Sequence, residues 1–287
     1  MSLHGKVSIV IPCFNQGPML LETLASVERA RTDSLSEVIV VNDGSTDPAT
    51  CRIFQELDPS KYTIIHQQNG GLGRARNEGI RIARGEFILP VDSDNFIRRA
   101  YLDKGIAILL ERPDAGVVYG DPEFFGEETG RRRIPEFDWS ALAKMNYIDA
   151  CAVYRRVVWE SVGGYDEKMP IMGFEDWDFW MRVALQGWAF VHLDEIAFDY
   201  RVRSGSMLSE TKRHKKALLH YIFEKPGYEL LKALRDQAVR LDEISCNFQS
   251  VDYRIGNTIM RPLRKVKRIP SSIRRQLWSR VPSRGPR

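Results

Sequence analysis

The 287-residue chain has no C-x-x-C pair; its four cysteines, Cys13, Cys51, Cys151 and Cys246, stand far apart. That excludes a thiolate zinc site and a disulfide framework, and it fits a reducing cytosol. No apolar run approaches the roughly 20 residues of a membrane span. The longest uncharged stretch near the start, residues 7–21, holds Pro12, Asn15, Gln16, Gly17 and Pro18. It reads as a strand plus a loop, so neither a span nor a signal peptide is expected. The P-loop pattern G-x-x-x-x-G-K-[ST] is also missing, which excludes a P-loop NTPase. A last absence is local: from Tyr253 onward there is no Asp or Glu, against 11 Lys and Arg. The net charge of +4 therefore splits into −7 over residues 1–252 and +11 after them. A basic tail on a mildly acidic body points toward an anionic partner.

What is present is ordinary for a globular protein. Apolar residues make up 43% and charged residues 28%, which excludes collagen-like, mucin-like and wholly disordered chains. A chain of this length can bury about three quarters of its unfolded surface.

Short apolar runs alternate with helical patterns in the first 120 residues. The runs are 6–11 (KVSIVI), 37–41 (EVIVV), 62–66, 86–91 (EFILPV) and 116–119. Helices are expected over 20–30, from Thr46 or Asp47 to 57, from after Gly73 to 84, and over 101–111. Alternation of this kind implies βαβ units and a mostly parallel sheet, with strands covered on both faces. The second half is less regular. Residues 121–137 read as a hairpin or loop insertion, 147–154 as a strand and 156–161 as a short helix. Residues 175–185 form a strong helical pattern ended by Gly187; 212–223 and 228–244 read as surface helices.

In an open parallel sheet, ligands bind beyond the carboxyl ends of the strands. The loops after the first four strands carry Asn15, Asp43, Arg74 with Asn77, and Asp92-Ser93-Asp94. Turns collect Asn, Asp and Gly for backbone reasons alone, so one such loop means little. Four on one edge are harder to dismiss. Asp92 and Asp94 place two carboxylates after a buried strand, a negative site that Mn2+ or Mg2+ would relieve together with a phosphate-bearing ligand. Asp43 suits either a plain turn or a carboxylate that accepts from a nucleobase or ribose. The run Gly70-Gly71-Leu72-Gly73 can approach a diphosphate, with Arg74 supplying charge. It is not a dinucleotide fingerprint, because Arg76 stands where the third glycine belongs. Glu175 and Asp176 open the strong helix, where acids are favoured by the dipole; simple capping or a general base both fit. Trp177 and Trp180 offer a sugar-stacking platform, although Trp180, Val183 and Ala184 share the spacing of a core face.

Together, VSIVIPCFN, VIVVNDGSTD, NGGLGRARNEGI, FILPVDSDN, GGYDE, GFEDWDFWMR and YRVRSGSML resemble the inverting family 2 glycosyltransferases of GT-A fold, over about residues 5–209. The resemblance implies an α/β, Rossmann-like, mostly parallel sheet flanked by helices, with a C-terminal helical extension. It implies a catalytic domain over 1–210, with a nucleotide-binding half (1–120) and an acceptor-binding half (121–210), then helices over 211–252. It implies a nucleotide-sugar donor, with UDP or dTDP favoured, and an inverting transfer in polysaccharide or glycoconjugate assembly. Pro12, Phe14, Asn15 and Asp43 would contact the nucleoside. Asp92 and Ser93 would lie near the ribose, and Asp94 with Asp92 would hold Mn2+ or Mg2+. Arg74 and Asn77 would support the diphosphate or the Asp92 loop. Asp176 would be the base, with Glu175 beside it. Family members often carry a histidine near the metal where this chain has Arg203, which can pair with the diphosphate but cannot ligate a metal.

The tail, 253–287, places Val266, Ile269, Ile273, Leu277 and Val281 at steps of three or four among Arg and Lys, interrupted by Pro270. It reads as a basic amphipathic helix for an anionic membrane, or as a solvated or docked segment. Membrane binding would make a lipid-linked acceptor plausible beside a sugar or protein one; nucleic acid is the weaker partner. The expected location is cytoplasmic, with peripheral attachment to the inner face of a membrane through the tail. Two other functions compete. A sugar-1-phosphate nucleotidyltransferase needs a G-x-G-T-R loop where PCFNQG stands. A non-catalytic sugar-nucleotide binder has no need of Asp176.

Overall fold

The computed structural model describes residues 5–240 apart from Ser206, Leu230, Leu234 and Ala238, with only the backbone of 207–210 and 212. The basic tail and Cys246 lie outside the described residues. Residues up to Arg235 form one compact unit.

The strands are β1 (Val7–Cys13), β2 (Leu35–Asp43), β3 (Thr63–Gln67), β4 (Phe87–Pro90), β5 (Phe96–Ile97), β6 (Ala115–Gly126), β7 (Gly130–Arg131), β8 (Val153–Arg155) and β9 (Ala189–Val202). The helices are α1 (Gly17–Arg29), α2 (Pro48–Glu56), α3 (Leu72–Ile82), α4 (Arg99–Glu111), α5 (Trp139–Lys144), α6 (Arg156–Ser161), α7 (Glu175–Leu185) and α8 (Met207–Phe223). The sheet runs β3-β2-β1-β4-β8-β6-β9-β5, with β7 paired to β6. The β3-β2-β1-β4 part is parallel, as the alternation of strands and helices requires, and β6 pairs β9 in parallel. Strand β8 joins the two parallel parts by antiparallel pairing.

Successive side chains of the β1–β4 strands enter opposite cores. Ile9, Ile11, Val38, Val40 and Leu89 pack on one face; Val10, Ile39, Val41 and Ile88 pack on the other. Both faces are covered, which is why these runs are continuously apolar. Asp47 caps α2 by accepting from Thr50 N at 2.8 Å.

The second half departs from the sequence reading. Of the two readings of 121–137, the hairpin is the one found: β6 continues to Gly126 and turns back into β7, which pairs it in antiparallel, while β9 pairs β6 as far as Val202. Strand β9 itself was not expected; its alternation is broken by register shifts near Gly120 and Asp121. Of the strand expected over 147–154, only its end survives, in β8. The residues before it are held by side chains, as Trp180 Nε1 donates to Ile148 O at 3.1 Å. Trp177 and Trp180 are 1% and 0% exposed, so they are core and not a stacking platform. Among the described residues, no helix is long and apolar enough to cross a membrane. Cys13, Cys51 and Cys151 are free thiols.

Candidate active site

One cavity of about 630 Å³ opens at the carboxyl edge of the parallel strands. All four strand ends reach it: Pro12 near the end of β1 and Phe14 after it, Asp43 as the last residue of β2, Asn69 and Gly71 after β3, and Asp92, Ser93 and Asp94 after β4. The far wall comes from Asn146 and Asp149, from Glu175 and Asp176 at the start of α7, and from Arg203 after β9.

Asp43 is 3% exposed and serves the neighbouring loop. Its Oδ1 accepts from Gln67 Nε2 at 2.6 Å and Gly70 N at 2.8 Å; its Oδ2 accepts from Gly71 N at 3.0 Å. Gly71 can open α3 here because its φ of +85° lies in the left-handed region. Ser93 donates to Gln16 Oε1 at 2.6 Å and so ties the β4 loop to the β1 loop.

Three of the expected residues do not line the cavity. Arg74 is exposed. Asn77 is buried as a strap: its Nδ2 donates to Tyr165 O at 2.9 Å, and its Oδ1 accepts from Trp159 Nε1 and Tyr165 N at 2.8 Å each. Asn15 joins loops, its Oδ1 accepting from Thr46 N at 2.8 Å and Asp47 N at 2.9 Å. The cation at the centre is Arg76, dismissed by the motif comparison, which bonds Asp92 Oδ1 and Glu175 Oε1 at 2.7 Å each. Helical geometry explains the exchange: Gly73, Arg76 and Asn77 share the buried face of α3, while Arg74 is on its exposed side.

The acids differ in their surroundings. Burial, and after it the charge of Asp92, raise the Asp94 carboxyl above the usual range, although Arg203 Nε lies 3.3 Å away and opposes the rise. Burial and then Asp92 push Asp149 up to about 7. Burial, followed by the charge of Glu175, holds Asp176 well above the usual carboxylate range. Asn146 Nδ2 lies 3.0 Å from both Asp176 oxygens and favours the ionised form. Sequence reasoning missed Arg76, Asn146 and Asp149. Only the helical spacing of α3 carried a readable signal, for Arg76.

Asp92 and Asp94 each have a second carboxylate oxygen without a partner among the described residues, and Asp92 disfavours ionisation of Asp94. Two such oxygens fit a hard divalent cation. Among the described residues there is no cluster of three such protein ligands.

Several proteins similar to this chain carry sugar-transfer names. Glycosyltransferase GlyG of Streptococcus pneumoniae serotype 4 is 34% identical over 127 residues, which is 43% of this chain and 41% of GlyG. Matches span 23%, 36% and 41% of the length of three curated relatives, so this chain corresponds to less than half of each. Among solved structures, S. aureus TarS 1-349 in complex with UDP-GlcNAc superposes with TM-score 0.63 at 21% identity, over 82% of this chain and 71% of that one. Mannosyltransferase PcManGT from Pyrobaculum calidifontis, in complex with GDP-Man and Mn2+, gives TM-score 0.54 at 17% identity, over 96% and 88%. These likenesses support the GT-A fold. The family model described as glycosyl transferase family 2 matches residues 8–168. That stretch exceeds half of the chain and runs through all four strands of the β3-β2-β1-β4 sheet, and on it the chain belongs to glycosyl transferase family 2.

Proposed function

We propose that the cavity moves a sugar from a nucleoside-diphosphate donor to an acceptor hydroxyl, with inversion at the anomeric carbon. One observation carries this reading: Asp176, a carboxylate of raised proton affinity oriented by Asn146, lines the same cavity as the Asp92/Asp94 pair, from the opposite wall. In the reaction, Asp176 takes the hydroxyl proton while the acceptor oxygen bonds to the anomeric carbon. The anomeric C–O bond breaks on the opposite face, and the nucleoside diphosphate leaves with its electron pair. Asp94 and Asp92 would hold Mn2+ or Mg2+, which neutralises charge on the departing diphosphate. Arg203 stands at the same place through Asp94 and can share that charge.

TarS with UDP-GlcNAc and PcManGT with GDP-Man support a nucleotide-sugar donor. Among nucleotides we favour UDP or dTDP. A carboxylate has about four acceptor sites. Asp43 gives three of them to Gln67, Gly70 and Gly71. The one left suits the single imide N–H of uracil or thymine better than the two donors of guanine.

The test pairs binding with turnover. UDP, dTDP, GDP and CMP are titrated with and without Mn2+, and release of the nucleotide is followed from the matching sugar nucleotides. Asp176→Asn should keep nucleotide binding and lose about 10²–10⁴-fold in turnover, the usual worth of a general base. Near wild-type turnover in that variant would remove Asp176 as the base.

A further inference from the structure

The β4 loop and the start of α7 reach the cavity from distant parts of the chain, and one side chain joins them. Arg76 is 1% exposed. Its Nη2 donates to Asp92 and its Nη1 to Glu175, at 2.7 Å each, with the Tyr165 ring 5.5 Å from the guanidinium. Glu175 is held in turn, its Oε2 accepting from Gly173 N at 2.6 Å. Gly173 has φ +126°, and a Cβ there would collide with the Thr211 hydroxyl. Backbone, Glu175, Arg76 and Asp92 thus form one continuous chain of fixed contacts, and Asp176 is the next residue along α7.

Packing alone does not account for this arginine. A buried ion pair is weak as a source of stability, since apolar residues of similar volume often do as well. Arg76 Nε is also buried with no partner among the described residues, a cost that calls for a reason. A planar fork offers what an apolar side chain cannot: two carboxylates fixed at a set separation. Resting on the reading above, in which Asp92 faces the donor and Asp176 takes the proton, we propose that Arg76 is a positioning residue. It locks the donor loop to the helix that carries the base, so that Asp92 and Glu175 act as one unit.

UDP with Mn2+ is the probe, because it lacks the sugar that Glu175 could touch directly. Its Kd is measured by calorimetry for wild type, Asp92→Asn, Glu175→Gln and the double variant, each with Arg76 intact and again combined with Arg76→Lys. Glu175→Gln should weaken UDP threefold or more although it stands beyond Arg76. The double variant should fall short of the product of the single losses by about threefold, the size of the smaller single loss, as groups sharing one network do. In the Arg76→Lys background, charge remains but the fork is gone, and the losses should multiply. An unchanged Kd in Glu175→Gln, or multiplying losses with Arg76 present, overturns the proposal even if Tm falls. Should Arg76→Lys not fold by circular dichroism, the cycle with Arg76 intact decides alone. If wild type binds none of UDP, dTDP, GDP and CMP, the donor reading falls and takes the proposal with it; binding with an uncoupled cycle removes the proposal only.

Discussion

The two sides of the cavity hold their polar groups by different means. On the parallel side, backbone N–H groups do most of the holding, with Gln67 and Gln16 adding side-chain contacts. Asp43 accepts from Gly70 N and Gly71 N, Asn15 from Thr46 N and Asp47 N, and Asn42 from Ser45 N. On the far side, side chains from distant parts of the chain add to nearby backbone donors: Arg76 joins Gly173 N on Glu175, Asn146 joins Trp177 N on Asp176, and Arg203 reaches across to Asp94. Backbone-held groups keep their place through loop shape and resist the loss of any one side chain. Groups held by side chains depend on a partner brought from far along the chain, so one substitution can strand them.

The sharpest way to break this contrast is to compare Arg76 with Arg74, two residues apart on α3. Arg76→Met leaves Glu175, 2% exposed, without its countercharge. Stranding one member of a buried pair costs about 3–5 kcal/mol. Arg74→Met changes an exposed residue, where effects stay within about 0.5 kcal/mol. Urea unfolding of both variants measures the gap; equal losses would mean that the far side is not held by its charges.

Next comes Asp149, a far-wall acid with little support. Cys151 N donates to its Oδ1 at 2.8 Å, but burial and Asp92 push it up to about 7. The unfolded chain releases this proton near the ordinary carboxylate value, whereas the folded state keeps it until about 7. The folded pKa is the higher one, so its contribution to stability is full below the unfolded value and gone above the folded one. Asp149→Asn does not titrate. Its stability relative to wild type should climb between pH 4 and 7, reach on the order of 4 kcal/mol, and stay level at pH 8. A difference independent of pH would show that Asp149 is ionised throughout.

The same contrast explains what could be read in advance. The β1–β4 half follows from continuous apolar runs ended by Asn, Asp and Gly, because each loop is fixed by its own backbone. Asp92, Ser93 and Asp94 were legible for that reason, and Asp176 was legible through the family motif around it. Arg76 was passed over because a motif comparison asked what its position lacks, and not which face of α3 it occupies. Asn146 and Asp149 sit in irregular chain, where no period marks them, and their partners lie elsewhere in the sequence. Strand β9 hid behind the bulges that bend it against β6. Long-range side-chain pairing leaves no local pattern, so the far wall had to be seen.

The smallest expected effect probes the holding of the base itself. Asn146 donates toward both oxygens of Asp176 and so lowers a carboxyl that burial and Glu175 raise. The base works only when ionised, so turnover falls as pH drops through its pKa. Asn146→Ala removes the hydrogen bond, and the pKa must rise further. The acidic limb of the rate profile should therefore move to higher pH. On that limb turnover should fall about tenfold or more, the worth of one hydrogen bond to a charged group. At high pH, where Asp176 is ionised in both proteins, the gap should narrow to what orientation alone contributes. A profile that keeps its acidic limb while dropping evenly at all pH values would mean that Asn146 orients Asp176 without tuning its charge. A limb that moved to lower pH would show that the two side chains do not meet in the working enzyme.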